Sequence, residues 1–221
     1  MNWPLELLKL YEKHKEKAGT YTTVDNRKVP FLPLFHDTVN AVYEIVLTEN
    51  GELSEIKDVP PDDAVTIVPV YVAFRTSDCC PNALCDNVKY IASTSKYHHA
   101  YMEKLKLWHD SDYSHPTVDA VYSYLSKETV EADLEYFESQ KPKKRKNNNV
   151  NEKEKKLVKT GSFIRFTILY QSPEKKESHC WLDRTLHKQF ISYHNSLDAK
   201  VGLDYLCLLY TSPSPRDRQK S

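Results

Sequence analysis

The feature that most narrows the fold lies between residues 39 and 59. Val39, Ala41, Tyr43, Ile45 and Leu47 alternate with Asn40, Val42, Glu44 and Val46, and Asn50-Gly51 follows. A period of two puts successive side chains on opposite faces of a strand, and Asn-Gly accepts the positive φ angles of a type I′ turn. The segment therefore predicts a β-hairpin whose return strand covers 52–59 and is closed by Pro60-Pro61. Such a hairpin has to bury an apolar face, and a chain of 221 residues that is 40% hydrophobic and 11% aromatic can supply the cover. Fifteen Tyr against two Met and four Gly suit strands, and equally suit interfaces, where the ring packs while the hydroxyl keeps a hydrogen bond.

The rest of the chain alternates between the two periodicities. Leu5, Leu7, Leu8, Leu10 and Tyr11, with Pro4 in the first turn, predict an amphipathic helix that stops near Gly19 and needs a partner for its apolar face. The β-branched run 65–72 suits a buried strand, although Pro69 removes a ladder donor and points to an edge or a bulge. Four helical patterns follow, on Leu84/Val88/Ile91, Tyr97/Tyr101/Leu105/Trp108, Val118/Val121/Tyr122/Leu125 and Val130/Leu134/Phe137. Ile164, Phe166, Ile168 and Tyr170 alternate as another strand, and Leu182, Leu186, Phe190 and Tyr193 mark a final helix. With no internal repeat, this order predicts an α+β fold with a small, mostly antiparallel sheet and several packed helices.

Charge is balanced overall, with 31 basic and 31 acidic residues, but residues 141–159 carry a local net of +7. That basic, Asn-rich stretch reads as a flexible loop, and it includes Lys143, Lys144, Arg145 and Lys146. An odd count of five Cys and a polar N-terminus without a signal-type apolar run predict reduced thiols in a cytoplasm. No apolar stretch is long enough to span a bilayer, so no membrane partner is expected.

The most unusual stretch runs from Arg75 through Thr76, Ser77, Asp78, Cys79, Cys80, Pro81 and Asn82 to Leu84-Cys85-Asp86-Asn87-Val88-Lys89-Tyr90-Ile91. It sits where a strand hands over to a helix, and the first N–H groups of a helix can hold an anion. Arg75, Thr76, Ser77 and Asn82 add groups able to meet phosphates or base edges. The same residues also admit a structural account: Ser77 or Asp78 caps a turn, Asn82 caps the helix, and Arg75 pairs with Asp86.

This stretch resembles the Arg-Thr-Ser-Gly-x-x-Pro-x-x-Leu-Cys-Asp-Asn signature of the large subunit of subtype I-C (Dvulg, Csd family) CRISPR surveillance complexes. The flanks are similar too, in Val42-Tyr-Glu-Ile, Asn50-Gly51, Val68-Pro-Val, Lys89-Tyr-Ile-Ala, His99-Ala-Tyr-Met-Glu, Trp108, His115-Pro, Phe163-Ile-Arg-Phe and Cys180-Trp181. The resemblance covers about residues 1–206 and implies the N-terminal part of a non-catalytic DNA-recognition subunit. That subunit would read the protospacer-adjacent motif in double-stranded target DNA and help open the duplex. Its implied partners are a crRNA-containing complex of other Cascade subunits and a helicase-nuclease that does the cutting, a division of labour like that of single-protein effectors. No cofactor is implied. The DNA-contacting residues expected on this basis are Arg75, Thr76, Ser77, Asn82, Asn87 and Lys89, with Lys143, Lys144, Arg145 and Lys146 as sequence-independent backbone contacts. Asp78 departs from the family's Gly, which puts a positive φ or a close DNA approach in doubt there. Residues 207–221, beginning Cys207-Leu-Leu-Tyr-Thr-Ser-Pro, are similar to a translated sequencing adapter and are expected to be a non-native tail.

Two rival classes stand beside this reading: a structural subunit whose Tyr-rich face binds neighbouring proteins, and a metal-dependent enzyme. Cys79, Cys80 and Cys85 with His98 and His99 offer zinc-type ligands, but without the paired spacing of a closed site. No local signature supports a Cys/His hydrolase, Asp62-Asp63 reads as a solvated loop, and four Gly leave no phosphate-binding Gly-rich loop.

Overall fold

The computed structural model describes residues 3–25, 27–72, 79–142, 158–172 and 177–197, together with the backbone of 202–203 and 210–211. Helix α1 (Trp3–His14) runs into a short 3-10 turn and ends at Gly19, whose φ of +83° is one that side-chain-bearing residues avoid. Strands β1 (Tyr21–Val24) and β2 (Arg27–Pro30) form a hairpin of their own. Next, β3 (His36–Asn40), β4 (Tyr43–Thr48), β5 (Leu53–Asp58) and β6 (Val65–Pro69) distribute themselves over two sheets. Among the described residues β3 pairs only with β6, whereas β4 pairs antiparallel with β5. Pro69 stands at the end of a strand with a single neighbour, which fits its missing donor.

The central sheet has the order β5-β4-β7-β8, completed by β7 (Ile164–Leu169) and β8 (Glu177–His179). The β4–β7 pair is parallel, with Tyr43 opposite Ile164 and Thr48 opposite Leu169; the other pairs are antiparallel. Between them come α2 (Val88–Ile91), α3 (His98–His109), α4 (Pro116–Leu125) and α5 (Val130–Gln140), and α6 (Arg184–Ser196) follows β8. Short strands β9 (Gly202–Leu203) and β10 (Tyr210–Thr211) pair antiparallel. The architecture is α+β, as the alternation of periodicities predicts.

Ile45, Leu47, Phe166 and Ile168 are buried in the sheet, and Tyr101, Leu105, Trp108, Val118 and Val121 are buried on the helices. Each such side chain contributes about 1.5–3 kcal/mol by leaving water. Trp108 on α3 joins α6, stacking on Tyr193 with ring centroids 5.9 Å apart and meeting Phe190 edge-on at 5.0 Å. Pro116 occupies the first turn of α4, and His115 caps it by accepting from Thr117 N.

Three expectations change. The hairpin forms, but positive φ is confined to Gly51 (+74°), and Gly51 N donates to Thr48 O at 3.0 Å; the turn is not type I′. A Cβ on Gly51 would lie 2.6 Å from Ala120 O, so the loop seats directly on α4. The alternation read as one strand from 39 to 47 is split, because Ala41 N bonds Ala64 O while Val42 N bonds Phe163 O, which moves the chain from one sheet to the other. Leu84 is not helical, since α2 is a single turn.

Candidate nucleic-acid interface

Chain geometry after β6 is set by one carboxylate. Asp86, fully buried, accepts from Asn82 N through Oδ2 and from Asn87 N through Oδ1, both at 2.7 Å, and its carbonyl accepts from Ile164 N at 3.0 Å. Burying a carboxylate is costly unless donors surround it, so Asp86 fixes the loop before α2. Tyr101 OH donates to Leu84 O at 2.5 Å, and the thiols of Cys85 and Cys180 lie 3.3 Å apart beneath the loop. Burial pushes the Tyr101 hydroxyl and the Cys85 thiol up, so both stay neutral.

The expected site residues separate into three groups. Arg75, Thr76 and Ser77, with Asp78, lie outside the described residues, as do Lys143, Lys144, Arg145 and Lys146. Asn82, expected to meet phosphates or base edges, is instead 5% exposed, and its Nδ2 donates to Cys85 O at 3.3 Å; its amide serves the loop. Asn87 and Lys89 are half-buried and reach the surface. Asn87 occupies the N-cap of α2 without a side-chain cap bond. Lys89 Nζ lies 4.4 Å from the Tyr97 ring centroid, and Lys96 Nζ lies 4.8 Å from it, so two cations share one aromatic ring.

The anion site expected at the start of the helix is closed. Val88 N donates to Ser162 O at 2.9 Å, Lys89 N to Thr160 O at 2.8 Å, and Tyr90 N to Asn87 O. These are the N–H groups that a phosphate would need. The same bonds have a second effect, because Thr160 and Ser162 follow directly after the basic segment. They stitch the residue range after that segment to the helix after the signature, and Asn87 adds a bridge to Phe163. At the other end of the segment, Lys141 is neutralised by Asp58 and Glu138, each at 2.6 Å. A cleft of about 320 Å³ lies at the stitch, lined by Lys89, Thr94, Ser95, Glu131, Glu135 and Thr160. Glu131 accepts from Thr94 N and Oγ1, and among the described lining residues Glu131 and Glu135 stand opposite the single cation Lys89, with Val88, Ala92, Leu134 and Val158 as apolar wall.

The metal ligands considered above do not converge. Cys85 faces Cys180 rather than Cys79 or Cys80, and His98 Nδ1 donates to Ile91 O at 2.9 Å. Among the described residues no group of three or more His, Cys, Asp or Glu could hold a metal ion. No helix there is long and apolar enough to cross a membrane. Sequence reasoning missed Glu131 and gave Asp86 only as a partner for Arg75, not as the acceptor that shapes the loop; the Asn82–Asp86–Asn87 cluster beside a helix start was the available signal for that role.

The sequence model of the CRISPR-associated protein family Cas_Csd1 matches residues 7–218. The chain belongs to this family. Cas_Csd1 proteins are the large subunits of type I-C Cascade, which gives the chain a role in CRISPR defence alongside other Cas subunits. The match runs past Leu206 and takes in β9 and β10. No curated protein matches the chain.

Proposed function

We propose that this Cas_Csd1 chain recognises the protospacer-adjacent motif in double-stranded DNA, helps to open the duplex, and does so without an active site of its own. A helicase-nuclease recruited to the crRNA-guided complex would then cut. The observation that carries the reading is the stitch of Lys89 and Val88 to Thr160 and Ser162. It ties the helix after the Arg75–Asn87 signature to the strand entry after the basic segment, so the described flanks of two stretches remote in sequence are hydrogen-bonded to each other. On this reading Arg75, Thr76, Ser77, Asn87 and Lys89 meet DNA, Asn82 and Asp86 hold the loop in shape, and Lys143, Lys144, Arg145 and Lys146 contact backbone phosphates.

The test separates the two kinds of contact. Neutralising Lys143, Lys144, Arg145 and Lys146 to Gln should weaken binding to every sequence and lower the slope of log K against log salt by up to about 3.6, near 0.9 for each phosphate that goes un-neutralised. An unchanged slope overturns the backbone role. Arg75→Ala should cost about 1–3 kcal/mol on the matched motif and less on mismatched ones if Arg75 reads a base; equal losses reduce it to a phosphate contact.

One observation favours a second reading, a subunit that binds neighbouring proteins without direct DNA readout. On α1, Trp3, Leu7 and Leu10 follow a four-three spacing and are 66%, 46% and 55% exposed. Charged substitution at Leu7 and Leu10 that breaks complex assembly while sparing DNA binding by the isolated chain would favour that class.

A further inference from the structure

Cys85 and Cys180 come from segments 95 residues apart, yet their sulfurs lie 3.3 Å from each other in the core. Cys85 sits in the loop held by Asp86, and Cys180 follows β8, where its N–H donates to Phe166 O at 3.1 Å. They are 0% and 1% exposed, whereas Cys79 is exposed and Cys80 half-buried. Both backbones are pinned, Cys85 through its carbonyl to Asn82 and Cys180 through the sheet, so the pairing is set by the fold and not by chance collision of mobile thiols.

The geometry points to a modification site: Cys85 and Cys180 form a disulfide under a hydroperoxide, clamping the loop before α2 to the end of β8. One thiolate attacks the peroxide, breaking its O–O bond; with hydrogen peroxide this leaves a sulfenic acid and water. The second thiol then attacks the sulfenic sulfur, the S–S bond forms, and a second water leaves. Each sulfur gives up one electron, and the peroxide takes up two. Bond formation asks the sulfurs to close by roughly an ångström. Burial pushes the Cys85 thiol up and keeps thiolate scarce, so the reaction waits on local opening of the loop. The cross-link does not depend on any nucleic acid, and so it stands or falls apart from the DNA-recognition reading.

The experiment uses the full chain with Cys79, Cys80 and Cys207 replaced by Ser, treated with hydrogen peroxide. Intact mass should fall by two hydrogens, both thiols should vanish together, and a non-reducing digest should yield one peptide joining Cys85 to Cys180. The oxidised chain should melt about 5–10 °C higher, exchange the amides of residues 82–87 roughly tenfold more slowly, and revert with dithiothreitol. In Cys180→Ala, Cys85 should gain oxygen and form no link. Independent oxygen gain at the two sulfurs of the parent overturns the inference, as does a folded chain that stays a dithiol while its unfolded form reacts. If Cys180→Ala fails to fold, the reversible cycle on the parent decides.

Discussion

Arg165 and His187 are equally buried, at 2% exposure each, but their surroundings differ in kind. Arg165 Nη2 meets Glu44 Oε2 and Asp63 Oδ2, both at 2.7 Å, its Nη1 donates to Asp63 O, and its guanidinium lies 3.6 Å over the Trp181 ring. Glu44 is held further by Thr167 Oγ1 at 2.8 Å. His187 packs edge-on against His36, ring centroids 4.7 Å apart, where burial outweighs the pull of the Cys180 backbone and the Asp183 carboxylate on a proton. His36 donates from Nδ1 to Leu34 O, and its Nε2 has no hydrogen-bond partner among the described residues. A charge can be kept in the core only where the fold supplies its partners. A neutral imidazole can be kept there without them, at the cost of any state that charges it.

Breaking the paired site should have the largest effect. Arg165→Met removes a buried guanidinium and leaves the half-buried Glu44 without its counter-ion, and should cost about 3 kcal/mol in denaturant unfolding. The double variant with Glu44→Leu should recover part of that loss; equal losses would show that packing on Trp181, and not the stranded carboxylate, sets the cost.

Acid sharpens the contrast from the other side. Burial, reinforced by His187, pushes His36 down to about 3, and burial pushes His187 down to about 4. Both lie below the ordinary value near 6.5, so the unfolded chain binds protons that the folded one refuses. Stability is therefore full above pH 6.5 and falls as pH drops towards 4, by up to about 2.7 kcal/mol per pH unit for the pair. Asp183, His115, Arg184 and His194 surround the pair and bias its titration. Asp63 and Asp183, whose carboxyls lie below the ordinary range, lose stabilisation only at still lower pH. His187→Phe should remove about half the slope between pH 6.5 and 4.5; an unchanged slope would place the proton uptake elsewhere.

The smallest effect belongs to exposed charge. Lys106 and Asp110 pair across one turn of α3 at 55% and 51% exposure. Lys106→Ala should leave the denaturant midpoint almost unchanged, and any shift should vanish in high salt.

How much of this was legible in the sequence depends on how far each determinant lies from the residue it controls. Helices α3, α4, α5 and α6 follow from local periodicity, and Gly51 and Pro69 carry backbone constraints of their own. The β1–β2 hairpin was missed because its strands are mostly exposed and show no clear alternation; Asp25-Asn26, residue types that tolerate the positive φ found at Asp25, was the local sign. Leu84 fits a helical spacing, but the N–H groups of Val88 and Lys89 that follow it go to Ser162 and Thr160, partners that no window around Leu84 contains. For the same reason the signature was recognisable as a motif, while the inward turn of Asn82 was not: the loop that holds Asn82 is anchored through Leu84 O to Tyr101 on α3 and through Asp86 O to Ile164 N.

The parallel pairing of Tyr43–Thr48 with Ile164–Leu169 also bears on how the protein is made. A nascent chain presents its future central strand long before the neighbour that completes it has left the ribosome, and in between come four helices and the lysine-rich stretch. β4 must therefore wait with one ladder of N–H and C=O groups open, sheltered by β5 alone, which makes the late arrival of β7 the slow, aggregation-exposed event of biosynthesis.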